Sequence, residues 1–172
     1  MKKVTIILTG VILMALTSVN VMAQSSATAS SDASAKIVKA ITLTNERMLN
    51  FGTLVPTNAA GDVIITSDNT RPVITNVKYI GQESDYSSAL FTVTGEQEYN
   101  FALTLPGNDE VTLSSGSNTM VVKNFTSELD ETGNEFPESG SIEFGVGATL
   151  EVQANQVSGL YEGSFNVTVA YE

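Results

Sequence analysis

From Lys36 onward, apolar side chains recur at every second position in short runs, and Gly, Asn, Asp, Ser or Pro closes each run. "KIVKAITLTN" places Ile37, Ile41 and Leu43 on one parity, and "MLNFGTLVP" follows with Leu49, Phe51 and a glycine suited to a bend. "DVIITS" carries Val63 and Ile65, "VITNVKYIG" reads as one β-branched and aromatic strand, and "ALFTVTG" alternates Ala89, Phe91 and Val93. "YNFALTLP" does the same with Tyr99, Phe101, Leu103 and Leu105. "VTLSSGSNTMVVKNF" reads as two strands around a loop of hairpin length, Ser114 to Asn118. "SIEFGVGATLEVQ" alternates from Ile142 to Val152, and Gly145 and Gly147 within it predict a bulge or a close approach of backbones.

No window shows an apolar stripe at helical spacing with a cap and a stop. Eight to ten short strands about ten residues apart predict an all-β fold, an immunoglobulin-like sandwich of two antiparallel sheets. The alternation implies one wet face per sheet, which antiparallel sheets permit. A single domain is expected over residues 36–172.

The start of the chain has a different character. Lys2 and Lys3 precede an apolar stretch from Val4 to Val19, and Val21-Met22-Ala23 offers a cleavage site, so residues 1–23 read as a secretory signal. A retained membrane helix would need about 20 unbroken apolar residues, more than this run supplies. Residues 24–35, "QSSATASSDASA", have nothing large to bury and read as a Ser/Ala-rich leader. The expected location is outside the cytoplasm, in the periplasm or at the cell surface, with no membrane span once the signal is removed.

Charge and missing residue types narrow the chemistry. The 172 residues contain no cysteine and no histidine, which removes a lipid-modified cysteine, any disulfide, the thiolate nucleophile, the usual base near neutral pH and the favoured zinc ligands. The chain has 19 acidic residues against 8 basic ones, and only Lys123 is basic after Lys78, so no basic stripe could follow a nucleic-acid backbone. A glycosidase needs only two carboxylates, but the acids lie mainly in turn-like segments and no tryptophan is present to stack on a sugar. No enzyme activity, cofactor or metal is expected. The acidic stretch Glu128–Glu138 groups Asp130, Thr132, Gly133 and Asn134, yet their order misses the calcium-loop pattern, and it reads as a solvated hairpin tip. The Asn-X-Thr triplets at Asn124 and Asn166 matter only where a glycosylation apparatus reads them.

The last residues, "GLYEGSFNVTVAYE", exceed generic strand content. Phe165, Val167, Val169 and Tyr171 alternate with Ser164, Asn166, Thr168 and Ala170 to the last residue but one. Such a ribbon predicts a strand whose apolar side is covered. The ending resembles that of bacterial chaperone–usher pilins, in which a glycine fourteen residues from the end and a penultimate aromatic frame an alternating strand. Here Gly159 is fourteenth from the end and Tyr171 is penultimate. The resemblance implies an incomplete, pilin-like sandwich that pairs with a periplasmic chaperone and is finished by an N-terminal strand from the next subunit. Unlike many pilins, this chain carries no disulfide.

A wider likeness runs from about Ala33 to Glu172, through "ITLTNERMLNFGTL", "FTVTGEQEYNFALTLP", "VTLSSGSNTMVVKNF", "VGATLEV" and "GLYEGSFNVTVAY". On these segments the chain resembles a bacterial family of unknown function, the one numbered 4402 among such domains. That resemblance implies an exported sandwich similar to spore-coat and archaic pilus subunits, with no catalytic residues to carry over.

The expected role is a structural subunit, pilus-like or coat-like, that assembles with itself or a periplasmic chaperone through edge strands. Gly159 would lead into the assembly strand, and Phe165, Val167, Val169 and Tyr171 would form its apolar face. Ile37, Ile41 and Leu43 would form the first strand, either donated to a neighbour or closing its own sheet. The competing expectation is a monomeric surface or periplasmic module that binds a glycan or protein through exposed aromatics such as Tyr79, Tyr86 or Tyr99. A calcium-dependent adhesin is a third.

Overall fold

The computed structural model describes residues 26–70, 72–82, 85–108 and 110–172. The signal read at residues 1–23 and the first two leader residues lie outside the described residues. Residues 26–36 are exposed and form neither strand nor helix, and a separate compact unit comprises Ile37–Glu172.

That unit is all-β, with every strand pairing antiparallel and no α-helix among the described residues. Its largest sheet begins at the edge strand β1 (Thr42–Arg47). Alternation in Leu49 and Phe51 continues past it without a full ladder, and short β2 (Leu54–Pro56) leads to β3 (Gly61–Ile65). The run "VITNVKYIG", expected as one strand, is two: β4 (Val73–Thr75) pairs with β3, and β5 (Val77–Tyr79) pairs with β2. Asn76 separates them at φ 53°, a left-handed conformation that asparagine tolerates better than the β-branched residues around it. Together with the two-residue β10 described below, this split brings the strands among the described residues to twelve rather than eight to ten.

β6 (Ala89–Thr94), β7 (Asn100–Thr104) and β8 (Val111–Ser115) follow. A two-residue turn at Gly116-Ser117 joins β8 to β9 (Asn118–Ser127), with Gly116 at φ 61° as a glycine-first hairpin turn requires. β10 (Asn134–Glu135) lies in the acidic stretch expected to be a hairpin tip, and β11 (Ser141–Val152) and β12 (Thr168–Tyr171) complete the set.

β11 organises the large sheet. Its residues Ser141–Val146 pair with β6, Ala148–Val152 with β3, and Val146–Glu151 with β9. Because Val146 pairs with both β6 and β9, and Thr149 to Glu151 with both β3 and β9, β6 and β3 lie end to end along one edge and β9 lies along the other. The sheet curls into a half-barrel. Even-numbered residues of β11 from Phe144 to Val152 are buried.

The glycine pair and the expected irregularity both occur here. A side chain at Gly145 would overlap the Ser67 carbonyl, and one at Gly147 would overlap that of Ile65, so the glycines admit the chain after β3 across this strand. The register shift falls opposite, where Asn124 and Phe125 of β9 face a single position between Gly147 and Thr149. Asn124 takes φ 50°, and the extra residue reverses parity: Met120 and Val122 point inward before it, Phe125 after it.

A three-stranded sheet, β10-β7-β12, lies over one end of the large sheet. Phe101 and Leu103 of β7 and Phe136 pack with Phe91, Val93, Phe144 and Val146, and the rings of Phe101 and Phe136 stack at 4.5 Å. A second buried cluster gathers Phe51, Val63, Ile65, Met120, Val122, Leu150 and Val152 at the other end. Leu49, Phe125 and Phe165 touch both clusters.

Candidate functional site

The terminal segment carries the alternation expected of it, though only part of it is laddered. Phe165, Val167, Val169 and Tyr171 are half-buried, while Asn166, Thr168 and Ala170 between them are exposed. Strand pairing begins only at Thr168, opposite Thr104, and runs to Tyr171 opposite Phe101. One physical reason is Pro106: continued register would set it against Asn166, and proline has no N–H to give a ladder. Upstream, Glu162 forms an isolated bridge with Ser114 of β8. Among the described residues no backbone hydrogen bond joins Gly163–Val167 to a neighbouring strand. Gly159 sits at an exposed bend before this ribbon, beside Ser115.

Two hollows flank the ribbon. The smaller, about 260 Å³, occupies the gap left beside Pro106 between Thr104 and Phe165. The larger is a groove of about 760 Å³ whose floor includes the buried Phe51, Met120 and Val152 and whose wall includes Leu160, Tyr161 and Phe165. Its rim exposes large apolar side chains: Met48 at 69%, Val157 at 54% and Leu160 at 75%. Phe165 lines both hollows and so stands between them. The Tyr161 hydroxyl donates to the Val157 carbonyl at 2.8 Å and accepts from the Gln156 amide at 2.9 Å, which stiffens the wall.

Among the described residues β12 pairs on one side only, with β7, and β1 pairs on one side only, with β6. The two strands come near each other. An unpaired edge is a row of backbone donors and acceptors, which an added strand satisfies, and the unladdered ribbon Gly163–Val167 offers such groups beside the apolar groove.

The expected first strand is placed in parts. Ile37 is 94% exposed and outside any strand, Ile41 directly precedes β1, and Leu43 lies in it; Ile41 and Leu43 pack on the chain's own core. The groove's floor was not foreseen as a site, because its residues come from four distant stretches; exposed Met48, Val157 and Leu160, outside any alternating run, were the available signal.

Other chemistry is sparse. Among the described residues no group of three acidic side chains is arranged to hold a metal ion, and no helix is long and apolar enough to cross a membrane. In the acidic stretch, Asn134 caps its own turn by accepting from the Asp130 amide at 3.2 Å and donating to the Asp130 carbonyl at 2.7 Å, and Gly133 donates to the Glu172 carboxylate. Among the described residues two carboxyls are clearly perturbed: Glu151, held below the ordinary range by Lys123 and Gln153, and Asp68, lowered by its bonds to Thr66 and Thr70. Neither faces the groove. No curated protein and no solved structure matches the chain. A family model does match residues 41–171, and the chain with its curled antiparallel sheet therefore belongs to the family described as Domain of unknown function (DUF4402).

Proposed function

We propose that this protein is an exported, non-enzymatic structural subunit, pilus-like or coat-like, with an immunoglobulin-like sandwich that is completed by an added strand. The observation that carries the reading is the ribbon Gly163–Val167, which lacks a ladder partner beside a groove of about 760 Å³ open to the core. In strand addition, backbone hydrogen bonds supply affinity and alternate side chains fill pockets. A strand entering here would gain both, since Phe51, Met120 and Val152 form an apolar floor beside the unladdered ribbon, whose Gly163 and Phe165 line the same groove.

The strand comes from the N-terminal segment of another copy or from a periplasmic chaperone. Ile37 is free to be donated, whereas Ile41 and Leu43 must first leave their own core. A glycan-binding module is less well supported: Tyr79 and Tyr86 are half-buried and meet edge to face at 6.0 Å, and Tyr99 is half-buried against Tyr171. Stacking on a sugar needs an open ring face.

The test is a chain lacking residues 24–43 titrated with a peptide of that sequence. A saturable rise in melting temperature is expected. The absence of any shift, with the truncated chain folded, would overturn the proposal.

A further inference from the structure

Three residues far apart in sequence close a ring of hydrogen bonds at the start of β1. The Lys39 amide donates to the Glu96 carboxylate at 3.0 Å, the Glu96 amide donates to the Tyr171 hydroxyl at 2.7 Å, and that hydroxyl donates to the Lys39 carbonyl at 2.7 Å. Each residue gives one bond and takes one. Neighbouring rings fix Tyr171 in position: it meets Tyr99 and Phe136 edge to face at 6.0 and 6.1 Å, and Gly95 leaves the space that its hydroxyl needs.

Beyond its ladder with β6, what the ring secures has little apolar anchorage. In β1 only Leu43 and Arg47 are half-buried, the other four residues are exposed, and one edge has no partner. The strand's far end is fixed by a second polar clasp, from the Arg47 guanidinium to the carbonyl and hydroxyl of buried Ser88 at 3.0 and 3.2 Å. β1 is thus an edge strap with little apolar anchorage, fastened at both ends by hydrogen bonds. Just upstream of the first clasp, Ile37 already stands in solvent.

We infer that the Lys39–Glu96–Tyr171 ring is a catch that keeps the start of β1 in its own sheet, and that opening it lets Ile37–Arg47 peel from that end, with the Arg47–Ser88 clasp as the last hold. Release would bare the edge of β6 and free Ile41 and Leu43 together with Ile37. The inference deepens the assembly reading and rests on it for the acceptor, a second copy of this chain. The penultimate tyrosine, on this view, governs whether the first segment is available at all.

The test uses the full chain and hydrogen–deuterium exchange. Tyr171→Phe keeps the ring packing and removes both hydroxyl bonds; Val169→Ala, on the same strand, removes packing and leaves the catch. In Tyr171→Phe, exchange over residues 37–47 is expected to rise about tenfold, the effect of roughly one net hydrogen bond, with β11 unchanged and self-association increased. Val169→Ala should show no selective rise over 37–47. If Tyr171→Phe fails to fold, Glu96→Ala opens the same ring from the half-buried residue just before the Gln97–Glu98 turn and is read in the same way. Unchanged exchange over 37–47, or an equal rise in every strand, overturns the catch. A selective rise without self-association upholds the catch and counts against a second copy as acceptor.

Discussion

The ring of Phe165 lies 5.0 Å from that of Phe125, and the two join both buried clusters. Phe125 is aimed there by the bulge at Asn124, and Phe165 also meets Phe91 edge to face at 6.4 Å. Phe165→Ala should therefore cost about 2 kcal/mol, below the value for a fully buried phenylalanine because the side chain is half-buried. Urea unfolding measures this directly. A loss under about 0.5 kcal/mol would mean that the ribbon is not a working wall of the core.

Two glycine positions separate packing from backbone strain. Gly145→Ala and Gly147→Ala place a methyl group against a backbone carbonyl, which no side-chain rotation can relieve, and each should cost about 3 kcal/mol or more. Gly116→Ala meets open space but retains φ 61°, so its cost should be about 1 kcal/mol. Thermal or chemical denaturation of the three variants should rank them in that order.

The pH dependence at Glu151 has a definite sign. The Lys123 ammonium at 2.5 Å, with the Gln153 amide at 2.8 Å, holds this carboxyl below the ordinary glutamate range. A lowered pKa in the folded state gives stability that is present above the ordinary glutamate value and lost as pH falls through the folded one. The pair is about one-third exposed, so solvent screening limits the effect to roughly 0.5 kcal/mol. Glu151→Gln should be less stable than the parent by that amount at neutral pH, and the gap should close as pH falls below the ordinary glutamate range and through the folded value. A gap that widened in acid would refute the assignment.

Ser88 is fully buried, and its amide donates to the Asn69 side chain at 2.7 Å while its carbonyl and hydroxyl take the Arg47 guanidinium. Arg47→Met leaves those acceptors unpaired and should cost about 1 to 3 kcal/mol. Ser88→Ala in the Arg47→Met background should add less than it costs alone, a coupling that a double-mutant cycle reads out.

How much of this was legible depends on where the information sits. β6 and β11 could be read at once, since Ala89, Phe91 and Val93, and the even residues from Phe144 to Val152, are apolar and buried at a period of two, although in β11 Gly145, Gly147 and Thr149 between them are buried as well. The glycines of β11 also announced their purpose. The break at Asn76 did not, because a single left-handed residue costs little and leaves the β-branched composition on either side intact. β10 was hidden for a different reason: Asn134 and Glu135 are polar, and their pairing with Phe101 and Asn100 is imposed by the neighbour. The limit of β12 required knowing that continued register would set Pro106 against Asn166. The groove needed still more, since Phe51, Met120, Val152 and Leu160 meet only after the sheet curls.

One strand runs through both oily compartments. β11 sends Phe144 and Val146 into one and Ala148, Leu150 and Val152 into the other along an unbroken backbone. Neither compartment can melt while its twin stands, because the beam they share would have to be solid and molten within two residues. Heat should therefore undo Ile37–Glu172 in a single cooperative step, and calorimetry should record one peak whose shape matches its area.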